Sequence, residues 1–279
     1  MMTSSAALQS DVVRRNNVRV SGAGTQPILF AHGFGCDQNM WRMITPAFEQ
    51  DYRIVLFDYV GSGNSDLKSW DRDRYATLDG YASDILDIVE ALDLRDVILV
   101  GHSVSSMIGV LAANRAPDRF AHVIMVGPSP RYINDADAGY TGGFERQDIE
   151  GLLDMMDRNY VGWANFLAPA IMKNPERPEL GVELAESFCS TDPVIARRFA
   201  EATFFADNRE DLPRLGVPSL ILQCSEDMIA PNAVGDYIHR VTPGSTLHVL
   251  AATGHCPHMS HPEETIDAIR AYLGAARSA

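Results

Sequence analysis

The sequence predicts an α/β fold built on a mostly parallel sheet with helices on both faces. Three observations carry this. Short runs rich in Val, Ile and Leu alternate with amphipathic stretches, the order expected of successive β-α-β units. The later runs are nearly continuous in those residues, as strands buried on both faces read. One run, Val97-Ile98-Leu99-Val100-Gly101-His102-Ser103-Val104-Ser105, passes from strand through Gly-x-Ser-x-small directly into a helical stretch, 106–115.

Taken in chain order, residues 1–11 are small and polar and read as a loose tail. Strand candidates follow at 18–21, 28–31, 53–58, 97–101, 122–126, 219–224 and 246–250. Gly22-Ala23-Gly24, shortly before Pro27, reads as a hairpin loop between the first two. Leu78, Tyr81, Ala82, Ile85, Ile88, Val89 and Leu92 recur at three-and-four spacing and predict a helix. The last helix is expected at 262–273. Residues 131–208 break the alternation. They contain no good strand and read as short helices broken at Pro169, Pro175, Pro178 and Pro193, with Thr191-Asp192-Pro193 as a capped helix start. Six of the eleven Phe (Phe144, Phe166, Phe188, Phe199, Phe204, Phe205) lie here, together with Trp163. Helix packing needs some of these rings, and the excess predicts an inserted lid whose inner face lines an apolar pocket. The expected organisation is a core of 12–130 and 209–279 interrupted by a four-helix lid, 131–208.

Composition narrows the class of function. The chain has 279 residues, 46% of them hydrophobic, and a mean hydropathy near zero, as in soluble globular proteins. Its net charge of −14 opposes nucleic-acid backbones and anionic membranes as partners. Cys36, Cys189, Cys224 and Cys256 form no CxxC pair and predict free thiols in a reducing compartment. With no signal-peptide pattern and no apolar run long enough for a membrane span, the expected location is the cytoplasm. Gly61-Ser62-Gly63 carries Asp66 where a dinucleotide fingerprint needs Gly, so it reads as a turn, and no nucleotide cofactor is expected.

The chemistry gathers at three chain positions. Ser103 sits in the strand-to-helix turn that holds a nucleophile outward, with Ser105 where the motif usually ends in Gly. A serine hydroxyl needs a base, itself oriented by a carboxylate, and in this context they follow in the order Ser, Asp or Glu, His. After strand 219–224 comes Ser225-Glu226-Asp227-Met228-Ile229-Ala230-Pro231, and after strand 246–250 comes Thr253-Gly254-His255-Cys256-Pro257-His258. Both loops leave the sheet edge that carries Ser103. Ser103 is therefore expected as nucleophile, His255 as base and then acid, and Asp227 as its orienter, with Glu226 the rival carboxylate. Oxyanion donors are expected from the backbone N–H of Val104 and of Phe34, in the loop His32-Gly33-Phe34-Gly35. The pocket is expected to use Phe34, His102, Trp163, Phe166 and Phe204. His255, His258 and His261 with Cys256 match no familiar zinc spacing, so no metal is expected, and His258 and His261 are expected to cap or flank the last helix.

The chain resembles the α/β-hydrolase superfamily over nearly its whole length. Within it, the chain resembles the RsbQ-type bacterial stress-response regulators and is similar to the plant strigolactone and karrikin receptor hydrolases. The segments that carry the likeness are His32-Gly33-Phe34-Gly35-Cys36-Asp37-Gln38-Asn39-Met40-Trp41, Phe57-Asp58-Tyr59-Val60-Gly61-Ser62-Gly63, Gly101-His102-Ser103-Val104-Ser105, Val126-Gly127-Pro128-Ser129-Pro130-Arg131-Tyr132, Cys189-Ser190-Thr191-Asp192-Pro193 and Gly254-His255-Cys256-Pro257-His258. The resemblance implies a hydrolase core with a four-helix lid over a small hydrophobic pocket. It also implies action with a PAS-domain protein phosphatase of the RsbP type to activate a stress sigma factor. Two compatible functions are therefore expected: a serine hydrolase of small apolar esters or lactones, and a ligand sensor that turns over slowly. General carboxylesterase, perhydrolase and C–C bond hydrolase activities fit the same fold.

Overall fold

A computed structural model describes residues 4–278. Seven strands form one sheet: β1 (Arg19–Ser21), β2 (Pro27–Ala31), β3 (Arg53–Leu56), β4 (Val97–His102), β5 (Phe120–Val126), β6 (Ser219–Glu226) and β7 (Ser245–Thr253). Their order across the sheet is β1-β3-β2-β4-β5-β6-β7. Every pairing is parallel except β1 with β3, where Arg19 faces Leu56 and Ser21 faces Ile54. This corrects the hairpin reading of residues 22–24. The Ala23 N–H bonds the Glu49 carbonyl, so the loop crosses the turn before β3 and delivers β2 to that strand's far side.

Alternation within the central strands explains how one sheet serves two cores. In β2, Ile28 and Phe30 join one apolar cluster while Leu29 and Ala31 join the other. In β4, Ile98 and Val100 divide from Val97 and Leu99 in the same way. The helices α2 (Leu78–Ala91), α3 (Val104–Arg115) and α8 (Asn232–Val241) cover the second face, and α9 (Pro262–Ser278) packs on the first. β7 departs from the fully buried pattern, with Val249 half exposed, because it is an edge strand.

The amino terminus also differs from expectation. Residues 4–15 form helix α1 (Ser4–Arg15), with Val12 buried in the second cluster. Arg15 pairs with Asp87 at 2.8 Å and approaches buried Asp84 at 3.5 Å, which ties the helix to α2. Residues 1–3 of the expected loose tail lie outside the described residues.

Between β5 and β6 run four helices: α4 (Arg146–Arg158), α5 (Tyr160–Met172), α6 (Pro178–Ser190) and α7 (Pro193–Phe204). Pro178 and Pro193 occupy first helical positions, and the Asp192 carboxylate accepts from the Val194 and Ile195 N–H groups at 2.8 and 3.2 Å. Pro169 does not break a helix, since it lies within α5. No described helix is long and apolar enough to cross a membrane.

Candidate active site

β4 delivers its last residues at the carboxyl edge of the sheet, where β2 separates β3 from β4 and the chain's direction of winding reverses. Ser103 follows immediately with φ 56° and ψ −124°, a conformation that costs a non-glycine residue energy and turns its side chain out of the sheet. The turn is tight. A Cβ at position 101 would stand 2.4 Å from the Ser105 carbonyl oxygen, so only glycine lets strand and helix approach this closely. The Ser103 N–H donates to the Val126 carbonyl at 2.8 Å and fixes the turn to β5.

The loops after β6 and β7 bring the two partners to this turn. His255 Nε2 lies 2.8 Å from Ser103 Oγ, and His255 Nδ1 lies 2.6 Å from Asp227 Oδ2. The other oxygen of Asp227 accepts from the Ile229 and Ala230 N–H groups at 2.8 and 3.1 Å, which locks the carboxylate's rotamer. All three side chains are buried. The rival Glu226 points outward and pairs with Lys173, whose ammonium holds its carboxyl below the usual range. The His255 loop is anchored to α5 by its own N–H, 2.9 Å from the Ile171 carbonyl. Gly254 (φ 83°) permits this contact, because a Cβ there would meet the Met172 carbonyl oxygen at 2.0 Å.

The two expected oxyanion donors lie in the loop after β2 and at the start of α3. Val104 opens α3, so its N–H is a first-turn donor without an intrahelical acceptor. Phe34 N–H carries no hydrogen bond to any described residue. Phe34's ring meets Phe188, Phe199, Phe204 and Trp163 at centroid distances of 5.6–6.2 Å.

A cavity above Ser103 is lined by Phe34, His102, Phe204 and His255, and also by Cys36, Tyr132, Ile171, Leu184, Phe188, Thr203, Ile229 and Cys256. Its free volume is about 30 Å³. Of the five expected pocket residues, Phe34, His102 and Phe204 line it. Trp163 stands one layer back, stacked on Phe188 at 5.3 Å. Phe166 does not belong to the pocket and is 66% exposed. Trp163, Ala164, Leu167, Ala168 and Ile171 define the buried side of α5, and at 100° per residue position 166 falls on the opposite side. Only Phe188 and Phe204 of the six line the cavity, while Phe199 stacks on Tyr81 at 4.1 Å in the core. Tyr132, Leu184 and Thr203 escaped the sequence reading because single residues on separate elements leave no periodic signal.

His258 is a further correction. It caps nothing, lying fully buried between Trp41 (4.7 Å) and His102 (4.4 Å). His261 does flank the last helix, its carbonyl accepting from Thr265 N–H and Oγ1. Burial holds the His258 and His102 imidazoles neutral, pushing His258 down to about 3. Among the described residues, His102, Cys256 and His258 form the group that could hold a metal ion, their ligand atoms within 4.8 Å of one another. All four cysteines are free, and only Cys189 is exposed.

A strained serine at a strand-to-helix turn, hydrogen-bonded through histidine to a buried carboxylate, defines a serine hydrolase. Residues 28–268 match the alpha/beta hydrolase family, and the chain belongs to that family. Its relatives include the karrikin insensitive 2 receptor CA of Petunia hybrida, 36% identical over 94% of this chain and 97% of that one. The strigolactone esterase D14 of Arabidopsis thaliana is 36% identical over 95% of this chain and 98% of its own length. Among solved structures, olei00960, a hydrolase from Oleispira antarctica, superposes with a TM-score of 0.93 at 45% identity, covering 95% of this chain and 97% of that one.

Proposed function

We propose that the chain hydrolyses a small hydrophobic ester or lactone through an acyl-Ser103 intermediate. The observation that carries this is the continuous 2.8 and 2.6 Å hydrogen-bonded path from Ser103 through His255 to Asp227. Ser103 Oγ attacks the carbonyl carbon as His255 Nε2 takes its proton, and Asp227 stabilises the imidazolium through Nδ1–H. The carbonyl oxygen, now anionic, receives the N–H groups of Phe34 and Val104. His255 then passes its proton to the leaving alkoxide, which departs. Water attacks the acyl-enzyme by the same route and frees Ser103. Residues 131–208 act as a lid that keeps the acyl pocket dry, and the narrow cavity restricts the acyl group to a short chain. No step calls for a cofactor.

A fluorophosphonate should add once to the protein, as read by intact mass, and Ser103→Ala should abolish the adduct. Absence of an adduct on the native protein refutes the reading. Turnover of nitrophenyl esters of increasing acyl length should fall sharply with length.

A second reading is favoured by the receptor named among the relatives and by the small free volume of the cavity. In it, slow hydrolysis serves a cytoplasmic sensor that signals to a PAS-domain phosphatase of the RsbP type, in the manner of an RsbQ-type regulator. A ligand-dependent pull-down of such a phosphatase, lost in Ser103→Ala, would support it. Failure to bind under any ligand condition would remove it.

A further inference from the structure

Two consecutive peptide units lead into the Phe34 N–H, and each is held by its own device. The first is the His32–Gly33 peptide. Its oxygen, on His32, accepts from Ser105 Oγ at 2.5 Å. A carbonyl only accepts, so Ser105 spends its one proton there, and the Tyr59 hydroxyl at 3.0 Å must donate to Ser105 Oγ. The second is the Gly33–Phe34 peptide. The Tyr59 backbone N–H donates to His32 Nε2 at 3.2 Å, which puts the ring proton on Nδ1. Nδ1–H then donates to the Gly33 carbonyl at 2.9 Å. Because the peptide is planar and trans, fixing that carbonyl aims the Phe34 N–H the opposite way. His32, Tyr59 and Ser105 are all completely buried.

Ser105 is also the residue directly after Val104 in α3. One hydroxyl thus ties the helix that carries one oxyanion donor to the loop that carries the other. We propose that Ser105, braced by the Tyr59 hydroxyl, is a positioning residue that sets the spacing of the Phe34 and Val104 N–H groups, a task the glycine usual at this motif position cannot perform. The inference rests on the acyl-serine reading above. It makes Ser105 matter when the oxygen becomes anionic and leaves substrate binding alone.

The test uses Ser105→Ala, Tyr59→Phe and the double variant, with p-nitrophenyl acetate as substrate and phenylboronic acid as a tetrahedral adduct former. Deleting an oxyanion donor outright costs on the order of 10²–10³ in rate, so misaligning one should lower kcat by about tenfold. KM should stay within about twofold, and the boronate should lose affinity by the same factor as kcat/KM. The pH profile should not move, since the His255–Asp227 pair is untouched. Tyr59→Phe should act in the same direction but more weakly, and the double variant should be no worse than Ser105→Ala, because the phenol acts through the serine. If Ser105→Ala fails to fold, Tyr59→Phe carries the same test. A kcat within twofold of native in both single variants, or a rise in KM with kcat intact, overturns the inference while leaving the acyl-serine reading standing. A native protein that neither reacts with fluorophosphonate at Ser103 nor turns over esters sinks both.

Discussion

Replacing Asp227 with Asn changes one atom of the site while preserving its shape. In the native carboxylate, Oδ1 accepts from the Ile229 and Ala230 N–H groups, and Oδ2 lies 2.6 Å from His255 Nδ1. Those two backbone donors decide how the amide sits: its oxygen must take the Oδ1 place, so its NH₂ faces His255. Nδ1 must then present a lone pair, which moves the ring proton to Nε2, aimed at Ser103 Oγ 2.8 Å away. An imidazole in that tautomer cannot take the serine's proton. A loss of this origin is on the order of 10⁴ in kcat, or about 5.5 kcal/mol of barrier at about 1.36 kcal/mol per decade. Initial rates with p-nitrophenyl acetate would measure it, with a thermal melt to establish that the variant is folded. Glu226→Gln is the control, because Glu226 faces solvent against Lys173, and it should keep kcat within about twofold. A folded Asp227→Asn that retains more than about a tenth of native kcat, or a Glu226→Gln that falls equally far, would refute the assignment of the orienting carboxylate.

The remaining predictions concern the pocket wall and acid stability. Phe204→Ala should lower stability by about 3–5 kcal/mol, read by urea denaturation, and should raise hydrolysis of butyryl and hexanoyl esters relative to acetyl. Phe166→Ser, on the outer side of α5, should change stability by less than about 0.5 kcal/mol and leave the acyl preference unmoved. His32, His102 and His258 are buried neutral with lowered pKa values, so below their ordinary 6.5 the unfolded chain binds protons that the native chain refuses. Stability should therefore fall as the pH drops from about 6.5 toward about 3, the value for His258, at up to about 1.36 kcal/mol per pH unit per histidine. Urea midpoints between pH 7 and 5 would show this. A flat profile, or one that His258→Leu leaves equally steep, would contradict it.

Much of this was legible because it is local. Each of the seven strands has its counterpart among the strand candidates, and the Ser103 turn was visible because Gly101 stands where a Cβ would meet the Ser105 carbonyl oxygen at 2.4 Å. Asp192-Pro193 announced α7 through a cap that needs only two residues. Where the reading failed, the deciding contact was distant in sequence. Helix α1 is polar enough to pass for a tail, and Arg15 reaches Asp87 only after folding. Phe166 and Phe204 are the same residue type in the same stretch, and only the way α5 and α7 lie against the core tells wall from surface.

The sequence by itself determined the class of chemistry. A nucleophile elbow, an acid after one strand and a histidine after the next can be recognised from residue types and order, because the parallel sheet delivers all three to one edge. The tertiary structure decided which atoms meet. It set Asp227 rather than its neighbour Glu226 against His255, buried His258 against His102, and tied Ser105 to the loop after β2, 73 positions away, through the His32 carbonyl. Those choices depend on directions and distances of a few ångströms, which arise from the packing of elements remote in the chain and leave no mark in the local run of residues.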